Sequence, residues 1–449
     1  MSNRSAVTRA FLGRMEIDEL RSFLRAEIQE MGEEGFEVAA FRDMLHRLTT
    51  KTQLIDLYYK LLPAQSVREY KYKEPGTLLE IRSARPPGPR AASLALSPAV
   101  LYDRIHGGWL GRVAGCVLGK PVEPWGLKEK IAQYLLLANR YPLSNYIPRL
   151  DPFPVEFYNN PYAHGTFLDE IKGAPEDDDT DYTILALHIL ETCGLDFSTS
   201  EVAAEWMSHL AYHRTWTAER AVYRNLILGV PATKAAFLLN PEREFIGARI
   251  RADAYGFAAP GRPELAAGLA YKDAVLSHTK NGVYSTMFMA ACIAWAFVAN
   301  DIETIVQGGL SEIPANCRLA HAIREVLALR SEIDDWEIAF EHMKPQLIAY
   351  HPVHAINNTV IMVLALLYAG GDFEKTICIA VMCGFDTDCN GANAGSVIGV
   401  LQGAHRLPEK WTAPLQDTLY SFVAGFRETH ISELAQRTAL IAKTVLSAF

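Results

Sequence analysis

The residues best suited to chemistry form two knots of carboxylates. In "APEDDDTDYT", Glu176, Asp177, Asp178, Asp179 and Asp181 crowd into six positions. In "GFDTDCNGANAGSVIG", Asp386 and Asp388 stand among apolar and small residues. A carboxylate removed from water is costly unless something neutralises it, and no Lys or Arg follows closely in sequence. The dipole of a helix accounts for one or two acidic residues at its N-terminus, not for five. A divalent cation would neutralise the excess. Carboxylate oxygens suit hard cations such as Mg²⁺, and no His/Cys set argues for zinc. Asp177, Asp178 and Asp179 are therefore expected to form one half of an oxygen-ligand metal site, and Asp386 and Asp388 the other half, for one or two ions. Caps and solvated loops are the competing structural explanation.

Two glycine series flank these carboxylates. Gly107, Gly111, Gly115 and Gly119 recur every fourth residue, as do Gly391, Gly395, Gly399 and Gly403. A glycine inside a helix costs roughly 1 kcal/mol relative to alanine, and spacing of four lines each series along one helix face. A bare face lets another backbone come close. Both helices are expected to lie deep in the fold, either against one another or each against a bulky neighbour. The first series leads into Pro121 and Glu123; the second starts just after Asp388.

Elsewhere helical periodicity dominates. Thr183–Thr192, Val202–Tyr212, Ala218–Leu228, Ser285–Ala299, Thr359–Ala369 and Ser432–Phe449 carry apolar residues at helical spacing. Clear β-alternation is scarce, which predicts an all-α fold. Residues 7–62 read as charged amphipathic helices, and Ser83–Pro98 as a Pro/Arg/Ser-rich strap. This suggests an N-terminal helical extension with its linker over residues 1–95 and an all-α main domain over 96–449. Ser97-Pro98 is a plausible N-cap and first position for the next helix.

Bulk properties exclude some functions. The net charge of −9 and the lack of a long basic run argue against nucleic acid. Seven cysteines without a CxxC pair read as reduced thiols. No signal peptide is evident, and the longest apolar run, Met287–Ala299, is too short for a membrane span. A soluble, cytoplasmic protein with no membrane partner is expected. One rival reading takes Asp177, Asp178 and Asp181 as the DDxxD pattern of Mg²⁺-dependent all-α isoprenoid synthases. It requires a second such motif and basic residues for a diphosphate, and it leaves the glycines and Glu123 unexplained.

Four blocks in order, "GGWLGRVAGCVLGKPVE", "EDDDTDYT", "IRADAYGFAAPGRPELAAGLAYKDAVLSHTKNGVYS" and "GFDTDCNGANAGSVIG", resemble the ADP-ribosylglycohydrolase family. The resemblance implies an all-α fold, two Mg²⁺ (or Mn²⁺) ions and cleavage at the anomeric carbon of a ribose. It matches Asp178 and Asp179 to the family's Thr-Asp-Asp-Thr motif, with Asp177 in a usual threonine position. Asp386 and Asp388 match its Asp-Thr-Asp-Thr motif, with Cys389 replacing the last threonine. Glu123 matches a glutamate at the metal site. It further implies that Glu123, Asp178 and Asp179 are the candidate catalytic carboxylates. Substrate contacts are expected from His278, from Asn281, Gly282, Tyr284 and Ser285, and from Cys389 and Asn390. The family's Gly-Asn-Gly loop is replaced by "EFIGARIRAD", so Arg249 and Arg251 would cradle a diphosphate, or the substrate is smaller.

The activity implied is hydrolysis of an N- or O-ribosyl bond, in ADP-ribosylated protein, ADP-ribose derivatives or smaller nucleotides and nucleosides. A non-catalytic member of the fold is the alternative. His351 and His354 are expected to be structural, Trp109 and Trp125 to lie in the core or rim, and Arg224 and Asn225 to be ordinary surface.

Overall fold

The computed structural model describes residues 2–62, 70–92 and 94–448. Among them the fold is helical apart from one two-stranded antiparallel ribbon, Thr418–Tyr420 with Glu428–His430. Each helix expected from periodicity is present, within a few residues: Asp178–Cys193, Thr199–His209, Thr217–Ile227, Lys280–Ala296, Ala355–Ala369 and Ile431–Ala448. Phe449, the expected end of the last, lies outside the described residues, as does Ser93 within the strap. Ser97 caps Pro98–Gly119 by accepting from the Val100 amide, with Pro98 at the helix start.

The centre of the molecule is the pair of glycine-bearing helices, Pro98–Gly119 and Thr387–Gln402. They run antiparallel, with Gly107 facing Gly399, Gly111 facing Gly395 and Gly115 facing Gly391. A Cβ at any of these six would come closer than 3.0 Å to the opposing backbone carbonyl. Of the two arrangements left open by sequence, the helices therefore pack on one another. Gly119 meets the Thr387–Asp388 peptide, and Thr387 Oγ1 donates to the Gly119 carbonyl at 2.8 Å. Gly403 departs from the pattern: its φ of +81° ends the second helix. The apolar Lys280–Ala296 helix is buried nearby, along with Trp109, whose indole donates to Thr438. Trp125 is also core, against Tyr134 and Phe157.

Two hydrophobic clusters are separate. The small one comprises apolar residues between Leu12 and Leu61, closed by Leu239 of the main body. The strap that follows is pinned: Arg90 donates to the Ser311 carbonyl at 2.7 Å and the Ala92 amide to Gly261 at 2.8 Å.

Gly111→Ala is expected to lower the unfolding free energy by about 1–3 kcal/mol, because backbone cannot give way as a side chain can. Gly13→Ala, where a Cβ meets nothing within 4 Å, should instead stabilise by up to ~1 kcal/mol. Denaturant titration of both variants checks the contrast; equal effects would mean that the glycine contact is not tight.

Candidate metal centre

Helix packing delivers the carboxylates to one place. Asp177 is the extended N-cap of Asp178–Cys193, and its side chain accepts from the Asp179 amide. The segment before it is held by Ala174, which pairs with Thr418 and Tyr420 of the ribbon. Asp386 and Asp388 start the second glycine helix. The turn before them is unusual: Gly384 and Phe385 both have positive φ, 78° and 62°. Glycine adopts such φ freely, whereas phenylalanine is an outlier there. The Phe385 amide donates to the Gly126 carbonyl at 2.7 Å. That contact clamps the Asp386 turn to the segment just after Glu123, which opens a short 3₁₀ turn, Glu123–Trp125.

Lys120 occupies the middle. Its ammonium lies 2.8 Å from Asp177 Oδ2, 2.8 Å from Asp388 Oδ2 and 3.2 Å from Glu123 Oε2. Deeper in, the fully buried Arg112 donates to the Asp179 carbonyl and, at 3.0 Å, to Asp179 Oδ1. Arg112 also pairs with Asp253 at 2.7 Å. Asp179 Oδ2 accepts from the Cys389 thiol at 3.1 Å. Six carboxylates, of Glu123, Asp177, Asp178, Asp179, Asp386 and Asp388, thus share Lys120 and part of Arg112.

The electrostatic outcome is uneven. Burial alone would lower the Lys120 pKa, but Asp177, Asp388 and Glu123 outweigh it and hold the ammonium well above its usual range. Asp388 is kept below the ordinary carboxylate value because Lys120 overcomes its burial. The others go up. Burial and then repulsion by neighbouring carboxylates raise Asp178 and Asp386 well above normal. Asp179 is pushed up to about 7, by burial against the pull of Arg112. Glu123, whose side chain keeps 38 % exposure, is pushed up to about 8 by burial and Asp388. Burial also holds Cys389 in its thiol form, consistent with its donating to Asp179.

These residues fit a divalent metal. Among the described residues Asp386 Oδ1 is buried without a hydrogen-bond partner, whereas Asp177 Oδ2 is held by its ion pair with Lys120. Single oxygens from Glu123, Asp386 and Asp388 lie within 4.8 Å of one another, as do ligand atoms of Asp179, Asp388 and Cys389. The acidic wall belongs to a cavity of about 380 Å³, whose other side carries Tyr158, Tyr162, Arg214, Trp216 and Phe422.

Residues 97–446 match the model of the ADP-ribosylglycohydrolase family. The chain belongs to this family. A solved structure described as an "ADP-ribosylglycohydrolase-related protein complex" is 19% identical, covers 77% of this chain and 99% of its own, and superposes with a TM-score of 0.49. No curated protein sequence matches the chain. ADP-ribosylglycohydrolase membership supports a glycohydrolase-type function and removes the ground for the isoprenoid-synthase reading.

Not every residue expected at the ADP-ribosylglycohydrolase site reaches it. Glu123, Asp177, Asp178, Asp179, Asp386, Asp388 and Cys389 line the cavity. Asn390 is behind it, accepting from Arg249 at 2.6 Å and donating to Asn358. His278, Asn281, Gly282, Tyr284 and Ser285 are not among the residues lining the acidic cavity. His278 bonds Ser277, Asn281 bonds Glu74 and Glu244, Tyr284 donates to the Pro75 carbonyl, and Ser285 closes on Gly282. Asn281 and Tyr284 thereby pack the segment around residue 75 onto the main body, while His278 and Ser285 bond their own neighbours. Arg249 and Arg251 do not form a diphosphate cradle. Both are fully buried, Arg249 on Asn390 and Thr359, Arg251 on Glu219, Asp273 and Ser277. Arg224 and Asn225 are not plain surface either, since both bond main-chain carbonyls of residues 235–239. Sequence reasoning missed Lys120 and Arg112, because it sought cations downstream of each acidic knot. The usable signal was Arg112 within the first glycine helix and Lys120 directly after it, three residues before Glu123.

For the metal-free protein the sign of the pH dependence follows. Asp179 and Asp181, both raised from 3.8 to about 7, keep protons when folded that the unfolded chain releases. Their contribution to stability is therefore lost as pH rises from about 4 to about 7, whereas the buried neutral His278 and His354 contribute with the opposite sign. The melting temperature of chelated protein, taken relative to chelated Asp181→Asn, should drop over this range, and the gap between chelated and Mg²⁺-saturated protein should widen as pH rises. A flat profile in both conditions would contradict the described electrostatics.

Proposed function

We propose that the protein is a metal-dependent glycohydrolase that cleaves an N- or O-ribosyl bond at the ribose anomeric carbon. The observation that carries this reading is the convergence of Glu123, Asp177, Asp178, Asp179, Asp386 and Asp388 on one cavity in a member of the ADP-ribosylglycohydrolase family. Asp177, Asp178, Asp179, Asp386 and Asp388 would hold the metal, with Mg²⁺ the first candidate, Mn²⁺ the second and two ions the expected number. Bound there, the metal supplies charge for the ribose hydroxyls and acidity for a water.

The chain's own groups do the rest. The carboxylates stabilise the positive charge that develops on the sugar as the leaving group departs. Asp179 is held by Arg112 and Cys389, which suits a fixed ligand better than a proton carrier. Asp178 and Glu123 line the open cavity and are the better proton carriers, Glu123 keeping 38 % of its side chain exposed. Lys120 offsets part of the charge on Asp177, Asp388 and Glu123, and it would share Asp177 and Asp388 with a bound metal.

A cavity of about 380 Å³ is at the small end of the range of roughly 300–1,000 Å³ for ligand pockets. Arg249 and Arg251 are committed elsewhere. Both points favour a nucleotide or nucleoside, or the terminal ribosyl unit of an ADP-ribosylated protein, over a fully enclosed ADP-ribose. Arg214 stacks over Phe422 at 3.6 Å on the facing wall and is the natural contact for one anionic group.

A panel of ADP-ribosylated protein, ADP-ribose derivatives and nucleosides, each with Mg²⁺ and with EDTA, tests the reading. Turnover of at least one substrate should require metal. Asp388→Asn should cut kcat/KM by about 100-fold or more, the scale typical of losing one essential electrostatic group, with an unchanged circular dichroism spectrum. Absence of turnover on every substrate, with metal bound, would favour a non-catalytic binding role.

A further inference from the structure

A second buried acidic nest lies where the N-terminal helices meet the main body. The Ile17–Glu33 helix presents Glu27, Glu30 and Glu33, followed by Glu34, toward Glu244 and Glu74. Among the described residues three cations serve these six carboxylates directly. Arg243 binds Glu27 at 3.0 Å and Glu34 at 2.7 Å, Lys280 binds Glu34 at 3.0 Å, and Arg318 binds Glu74 and Glu244 at 2.9 and 2.7 Å. Arg42 adds its charge near Glu33. Negative charge remains in excess.

The excess falls on Glu30. Its residue is 1% exposed, yet among the described residues neither carboxylate oxygen finds a hydrogen-bond donor; Arg243 Nε stays 3.9 Å away. Glu33 Oε2 and His354 Nε2 are also buried without a hydrogen-bond partner. Ligand atoms of Glu30, Glu33 and His354 lie within 4.8 Å of one another, and so do those of Glu30, Glu34 and Glu244. Glu30 is the member common to both sets. Two oxygens on opposite sides of a Ca²⁺ ion are about 4.8 Å apart, at roughly 2.4 Å per bond.

His354 decides the type of ion. Its Nδ1 accepts from the Ile356 amide at 3.1 Å, so that nitrogen carries no proton. Burial and the charge of Arg318 keep the ring neutral. The ring proton therefore sits on Nε2, 3.7 Å from Glu244 Oε2 and 4.0 Å from Glu33 Oε2. An Nε2–H cannot ligate a metal but can orient a ligating carboxylate, directly or through water. The first shell is then oxygen alone, which disfavours zinc and favours a hard cation.

We propose that this nest is a second divalent-cation site, separate from the catalytic centre, in which Glu30 is the principal ligand and Glu33, Glu34 and Glu244 supply further oxygens. The ion joins the N-terminal helices to the wall of the catalytic cavity. Glu244 precedes and His354 is part of the Phe245–His354 backbone bridge, and Ile246 and Val353 beside that bridge line the cavity. Glu33 also borders an outer groove of about 640 Å³, which gives an ion a way in.

The test is a count of bound Ca²⁺ on the full chain, stripped with EDTA and re-equilibrated, by calorimetry and elemental analysis. An Asp386→Asn/Asp388→Asn variant silences the catalytic centre. That variant should keep about one Ca²⁺ equivalent, and adding Glu30→Gln should weaken it at least tenfold. Its melting temperature should rise with Ca²⁺, and the rise should vanish with Glu30→Gln. Should Glu30→Gln fail to fold, Glu33→Gln is measured the same way. A catalytically silenced chain that binds no Ca²⁺, or binding unaffected by either substitution, would overturn the proposal. Glu30 would then simply carry a proton.

Discussion

Like charge gathered in a small, poorly solvated space is the constraint on which this molecule depends. Six carboxylates meet at the acidic cavity, and among the described residues the cations that meet them, Lys120 and Arg112, are too few. Left alone, such a cluster would hold protons or drive its helices apart. Lys120 acts as a stopgap: one ammonium reaches Asp177, Asp388 and Glu123 at once.

The glycine contact makes this crowding mechanically possible. Lys120 follows Gly119 at the end of one helix, and Asp388 begins the other. With side chains between the helices, these two residues would stand farther apart and the nest would open. The two helices forgo several kcal/mol of intrinsic helical stability, at roughly 1 kcal/mol per glycine, and gain a backbone contact that fixes the ends carrying charge. Arg112, on the same helix, extends the arrangement inward to Asp179 and Asp253.

Much of this was legible in the sequence, for physical reasons. Period-four glycines have few explanations other than close approach, and an unbroken helical period leaves little room for sheet. The carboxylates stood out because apolar neighbours made their charge anomalous. Other features were hidden. Asn281 and Tyr284 look like site residues in a polar turn, yet they are drawn away by Glu74 and Pro75, which lie some two hundred positions earlier. Arg249 and Arg251 offer charge on paper, but Asn390, Glu219 and Asp273 use it up. Such pairings are settled by tertiary packing, and local spacing carries no trace of them. The second acidic nest was invisible for the same reason, being split among residues 27–34, 74 and 244.

Proton release on metal binding tests the central claim most directly. Glu123, Asp178, Asp179 and Asp386 all hold protons more tightly than ordinary carboxylates in the metal-free site. A dication entering the nest must displace some of them. Calorimetry of Mg²⁺ binding near pH 7, in buffers of different ionisation enthalpy, should report release of about one proton or more per ion at the catalytic centre. Saturable binding with no proton released, or no binding there at all, would contradict the account.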